Sequence, residues 1–220
     1  NGTVTAATPE IVVRDGGVDI SDGGTLNFGS VVQGNSSTKT LTIQNTGSAN
    51  LSLNQITQND LPAGFTLISS LGSTNLAPGA STTFTVALNT SAAGSFSGVL
   101  SIANNDSDEN PFDISLNGTV TAATPEIVVR DGGVDISDGG TLNFGSVVQG
   151  NSSTKTLTIQ NTGSANLSLN QITQNDLPAG FTLISSLGST NLAPGASTTF
   201  TVALNTSAAG SFSGVLSIAN

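Results

Sequence analysis

Six carboxylates in the first half of this sequence sit where a cation could be held. Asp15, Asp19 and Asp22 share one Gly-rich stretch, and Asp106, Asp108 and Glu109 share another. Carboxylate oxygens are the ligands Ca²⁺ takes, although the spacing is not that of an EF-hand. Ions bound near residues 121–125 would stiffen that segment. The competing reading is that Asp and Asn make Asx-turns and keep hairpin tips soluble, which needs no metal. The six residues are therefore candidates for Ca²⁺ only, and no cofactor is required.

Catalysis has little to work with. His and Cys are absent, which removes the commonest general base, the thiol nucleophile and most zinc sites. Lys39, the only Lys of the first repeat, lies beside Ser36, Ser37 and Thr38, a crowding that composition alone explains. A Ser–Lys dyad is not implied, and no catalytic residue is assigned. Lys39 and Lys155 also raise an intramolecular Lys–Asn isopeptide crosslink, against the plainer reading of a Lys that protects a strand edge. Paired carboxylates occur only in loops, where nothing predicts an apolar pocket to raise one pKa. The chain is read as no enzyme.

The organisation that must position these residues is a repeat. Residues 1–104 reappear without substitution as 117–220. Self-similarity of this kind marks an array, and identity at exposed positions implies a recent or continually homogenised duplication. The expected divisions are 1–7, the tail of a preceding repeat; 8–120, repeat 1; 121–125, a linker; and 125–220, repeat 2. Repeat 2 has no copy of 105–116 and hence lacks its last strand, so the array is expected to continue past Asn220. The linker Thr121-Ala122-Ala123-Thr124-Pro125 is short, and its Pro favours extended geometry in the residue before it, so neighbouring repeats are expected to keep a defined angle.

Composition sets the class. With 36% hydrophobic and 8% charged residues, the chain is too apolar for charge-driven disorder. Fourteen acidic residues against 4 basic give a net charge of -10, so phosphates cannot be neutralised and nucleic acid is excluded as a partner. No run approaches the roughly 18 apolar residues of a membrane span. The absence of Cys excludes disulfides.

Period-two alternation marks strands over 40–44, 82–88, 94–104 and 112–116, with weaker ones over 10–14, 25–31, 51–56 and 65–71. Gly98 signals a bulge or a close approach within one of them. Turn residues separate the strands, as at Asp15-Gly16-Gly17, Asn45-Thr46-Gly47 and Ala77-Pro78-Gly79. Seven or eight short strands at this spacing predict an all-β, antiparallel β-sandwich in each repeat. Its expected core is Val13, Leu26, Phe28, Leu41, Ile43, Leu53, Phe65, Leu67, Phe84, Val86, Leu88, Phe96, Leu100, Ile102, Phe112, Ile114 and Leu116.

Four segments of each repeat carry a resemblance. They are Leu26-Asn27-Phe28-Gly29-Ser30-Val31, Thr40 to Gly47, Leu76 to Val86, and Ser101 to Phe112. In this order they resemble the bacterial choice-of-anchor D repeat, related to the ASPM, SPD-2, Hydin (ASH) type of immunoglobulin-like domain. The resemblance implies tandem immunoglobulin-like modules of large secreted or surface-anchored bacterial proteins, with no catalytic residues to carry over. A structural repeat of an extracellular stalk or filament is the leading expectation, with neighbouring identical repeats as partners in the same chain or in a filament. The alternative is an adhesin-type module that recognises glycan or a cell-surface partner through its end loops. Against it, all nine Phe fit core or strand positions rather than an exposed platform.

Overall fold

The Asp15-Gly16-Gly17-Val18 stretch folds as a two-residue hairpin turn, with Gly16 and Gly17 at φ 57° and 85°. Positive φ at both central positions matches the twist of the flanking strands. That turn joins β1 (Ile11–Asp15) to β2 (Val18–Ile20). The structure is a computed structural model describing residues 2–220, and the chain divides into two units, Asn1–Ala122 and Ala123–Asn220.

The first unit continues with β3 (Thr25–Val32), β4 (Thr38–Asn45), β5 (Leu51–Ser52), β6 (Phe65–Ser69), β7 (Asn75–Leu76), β8 (Ser81–Leu88), β9 (Gly94–Ile102) and β10 (Phe112–Thr121). One sheet has the order β2-β1-β4-β8-β6, a second β3-β10-β9, and β5 pairs with β7. Alternate residues of both larger sheets enter one apolar cluster. Val13, Leu41, Ile43, Phe84 and Val86 come from the first sheet, and Leu26, Leu100, Ile102, Phe112, Ile114 and Leu116 from the second. The fold is all-β.

Fifteen of the seventeen expected core residues are buried, while Leu67 and Phe96 are only partly so. Seven further apolar residues are buried: Ile11, Leu51, Ile56, Leu61, Leu71, Leu76 and Val120. Most lie in short or irregular segments where no alternation announces them. Val120 is inside because β10 runs on through Thr121.

Three details differ from the sequence expectation. The strand expected over 51–56 shrinks to Leu51–Ser52 and a single bridge between Leu53 and Asn104. The sheets are not wholly antiparallel, since β10 runs parallel to β3 with Leu116 opposite Leu26. Its direction is fixed by its antiparallel hairpin with β9, and β3 happens to run the same way. Gly98 marks a close approach rather than a bulge. The β9–β10 register passes through it unbroken, and a Cβ there would collide with the Pro62 ring.

The second unit contains β11 (Ile127–Asp131), β12 (Val134–Ile136), β13 (Thr154–Asn161), β14 (Leu167–Ser168), β15 (Phe181–Ser185), β16 (Asn191–Leu192) and β17 (Ser197–Leu204). Its five-stranded sheet, β12-β11-β13-β17-β15, repeats that of the first unit. Among the described residues, 141–148 and 210–218, the copies of β3 and β9, form no strands. No helix of the chain is long and apolar enough to cross a membrane.

Candidate functional site

The acidic residues separate into three environments. Asp15 faces Lys39, with Nζ 2.5 Å from Oδ2. Asp19 accepts from Arg14 Nε at 2.5 Å, and Arg14 Nη1 also donates to Gln44 at 2.6 Å. Arg14, Asp19 and Gln44 lie on the outer face of the sheet, while Asp15 and Lys39 fall in the alternation of Val13 and Leu41, at the end of the core-facing side. The same pairs recur as Lys155–Asp131 and Arg130–Asp135. Asp22 accepts the backbone N–H of Asp113 at 2.7 Å, pinning the entry to β3 against β10.

Asp106 and Asp108 occupy the loop before β10, and they meet a residue absent from the sequence candidates. The carboxylates of Glu10, Asp106 and Asp108 approach within 4.8 Å of one another. Asp106 is only 2% exposed, and its Oδ2 accepts the N–H of Ile11 at 2.9 Å. Burial pushes the Asp106 carboxyl above its ordinary pKa. The Ile11 N–H opposes this, and neighbouring Asp108 adds to it. Burial likewise raises Glu109, helped by the charges of Glu10, Asp106, Asp108 and Asp22. Glu109 Oε2 is buried without a hydrogen-bond partner. Glu10 lies 96 positions from Asp106, so only the folded β1–β10 end could have revealed it. Three carboxylates can contribute oxygens to a hard cation, whereas Ca²⁺ takes six to eight.

A cleft of about 380 Å³ opens beside the ion pairs of the first unit, lined by Asp15, Val18, Asp19, Ser21, Asn27 and Lys39 among others. Its copy in the second unit has a similar volume. Lys39 spends its ammonium on Asp15, so no free amine faces Ser36 or Ser37. An Asp rather than an Asn stands against that amine, which is not the pairing a Lys–Asn crosslink requires.

One polar side chain lies at the centre of the fold. Asn45, fully buried at the end of β4, donates from Nδ2 to the carbonyls of Ala49 (2.7 Å) and Leu76 (2.8 Å). Its Oδ1 accepts from Gly47 N (3.0 Å) and Glu10 N (3.3 Å). All four hydrogen-bonding capacities of the amide are thus used, and Asn161 repeats the arrangement. The site is structural, tying β1, β4 and β7 together.

Among the solved structures to which the chain shows similarity is a protein of unknown function from Porphyromonas gingivalis W83. It is 14% identical, with 88% of this chain and 82% of that chain covered and a TM-score of 0.37. The Vibrio cholerae VesB protease is 16% identical over 51% of this chain and 31% of that one, at a TM-score of 0.37. The ASH/PapD-like domain 7 of human CEP192 is 12% identical over 56% of this chain and 94% of that one, at a TM-score of 0.38. No curated protein matches the chain in sequence. A family profile described as HYDIN/CFA65/VesB-like, Ig-like domain matches residues 21–119 and again 137–219, which takes in most of both repeats. With four ordered segments, an all-β fold and a doubled profile match in agreement, the chain belongs to the HYDIN/CFA65/VesB-like family of Ig-like domains.

Proposed function

We propose that each repeat is a non-catalytic immunoglobulin-like sandwich of the choice-of-anchor D kind, and that it serves as a structural module of a long extracellular bacterial surface protein, stalk or filament. The observation that carries this reading is the identity of residues 1–104 and 117–220 at every position, solvent-facing ones included. Surfaces so repeated cannot be adapted copy by copy to different ligands, whereas a spacer gains from uniformity. The charged residues support it, because Lys39 of the cleft is paired with Asp15, and the cleft's Asp19 with Arg14, rather than left to engage a substrate. The module works without a cofactor, and its partners are neighbouring identical repeats.

The adhesin alternative receives less support. No aromatic residue lines the cleft of the first unit, and Phe96 lies against Gly64 rather than standing free. A test uses intact cells of the native source. Brief surface proteolysis should release repeat peptides before lysis, and the denatured protein should give a proteolytic ladder spaced by one repeat. Peptides released only after lysis would refute the extracellular placement, and a single band without a ladder would refute the array.

A further inference from the structure

The first and last strands of the first unit are both interior to their sheets. β1 lies between β2 and β4, and β10 between β3 and β9. Ile11 to Asp15 pair with β4, and Val13 to Asp15 also with β2. β10 pairs with β9 from Phe112 opposite Ile102 to Val120 opposite Gly94, and on its other flank Ser115 to Thr121 run parallel to Thr25 to Val32. The chain continues on both sides of this unit, so tension along it enters at β1 and leaves at β10.

The two strands are loaded from opposite ends. Ile11 N donates to Asp106 Oδ2 at 2.9 Å, and Glu10 meets Asp106 and Asp108, so β1 begins beside the loop that leads into β10. From there β10 runs 10 residues away, about 30 Å at roughly 3.3 Å per residue. Tension therefore draws β1 toward one end of the unit and β10 toward the other, each along its own axis. Ladder hydrogen bonds stand perpendicular to antiparallel strands, so sliding along the axis strains them together, whereas an edge strand is peeled bond by bond. Both ends are also clasped. Thr8 O accepts from Ser48 N (2.8 Å) and Ala49 N (3.0 Å), Glu10 O accepts from Thr46 N (2.8 Å), and at the far end Gln33 N donates to Thr121 O (2.8 Å).

We propose that the repeat is a tension-bearing clamp, in which a pull through its own chain ends must shear β1 and β10 out of the middle of their sheets. Gly118 is the catch. A Cβ there would come within 2.8 Å of Leu88 Cδ2 and 3.0 Å of Phe28 Cβ. The smallest slip of β10 that keeps the same residues facing inward is two positions, and a pull on its C-terminal end brings Leu116 to the place where even a Cβ is crowded. Sliding also drags Phe112, Ile114, Leu116 and Val120, each at most 2% exposed, through the core. The clamp deepens the structural role proposed above without depending on where the array resides. An array inside the cell leaves the clamp intact, and a weak clamp leaves the surface ladder unchanged.

Single-molecule force spectroscopy on the 220-residue chain tests the proposal, and the absence of Cys lets thiol handles be placed at chosen sites. Ala7→Cys with Ala122→Cys pulls through the chain ends of the first unit. Ala93→Cys with Ala122→Cys pulls across the neighbouring ends of β9 and β10, separating them pair by pair from Val120 and Gly94. All three positions are exposed and outside the strands, so the handles leave the fold undisturbed. At one loading rate the first geometry should yield in a single step, at a force at least about twofold that of the second, because its ladder bonds are strained together. That step should release the whole stretch between the handles, at up to about 3.6 Å per residue. Equal forces in the two geometries, or release between positions 7 and 122 in a series of small steps, would overturn the clamp.

Discussion

Replacing Asn45 by Asp changes one amide nitrogen to an oxygen and should nonetheless destabilise the first unit severely. The new carboxyl keeps the acceptor that serves Gly47 N and Glu10 N, but it faces the carbonyls of Ala49 and Leu76 at the 2.7 and 2.8 Å now spanned by N–H donors. Two buried carbonyls lose their partners, at about 1–3 kcal/mol each. Ionised, the carboxylate adds repulsion and desolvation at a fully buried position. Together these give about 3–6 kcal/mol at neutral pH, a large share of the 5–15 kcal/mol typical of a domain. The protonated acid can donate to one carbonyl again, so the folded state holds its proton more tightly than the unfolded chain does. Stability is therefore greatest below the unfolded value of about 3.9 and is lost as pH rises through the folded pKa. The chain has neither Trp nor Tyr, so far-UV circular dichroism or scanning calorimetry is the suitable readout. Asn45→Asp should lower only the transition of the first unit, and Asn161→Asp only that of the second. A loss below about 1 kcal/mol, or a loss equal at pH 4 and pH 7, would refute the hydrogen-bond account.

Phe84 is fully buried, and Phe84→Ala should cost about 3–5 kcal/mol in the same calorimetric transition. Gly47→Ala would set a Cβ 2.5 Å from Glu10 N and 2.6 Å from Pro9 C. It should cost about 2–4 kcal/mol by pushing residues 8–10 away from Thr46 and Ser48, with faster exchange at the Thr46 and Ser48 amides as the check. Asp106 and Glu109 both have raised pKa values, so the folded first unit binds more protons than the unfolded chain in the mildly acidic range. Its melting temperature should fall as pH rises from about 4 toward neutrality, and Asp106→Asn should flatten part of that slope. An unchanged slope in that variant would refute the assignment to Asp106.

Much of this architecture was legible because long strands announce themselves by alternation. Residues 82–88 and 112–116 pointed inward as expected, Phe84 and Phe112 among them. The short strands were not legible. Leu51 and Leu76 pair across a two-residue ladder too brief to show a period, and their burial follows from the neighbours that close over them. The Asn45-Thr46-Gly47 turn was visible, but its reason was not. Gly47 is needed for the closeness of residues 8–10 rather than for a positive φ, and that approach exists only once β1 pairs with β4. The carboxylates show the same limit. Asp106 and Asp108 could be singled out in sequence, while Glu10 joins them only through the fold, and Asp15 and Asp19 are taken by Lys39 and Arg14.

The two sheets of the first unit draw on different stretches of the repeat. The five-stranded sheet forms in both units with the same registers, Leu41 opposite Phe84 in one and Leu157 opposite Phe200 in the other. These contacts lie within one stretch of the repeat and need nothing beyond it. The second sheet differs. Residues 25–32 and 94–102 pair with β10, which lies between them, and not with each other. One ten-residue strand thus organises two others and seals the far side of the core. Alternation in 25–32 and 94–102 is therefore a necessary condition for those strands, not a sufficient one, because a period of two has value only when a central partner supplies the hydrogen bonds and the apolar face it was patterned to meet.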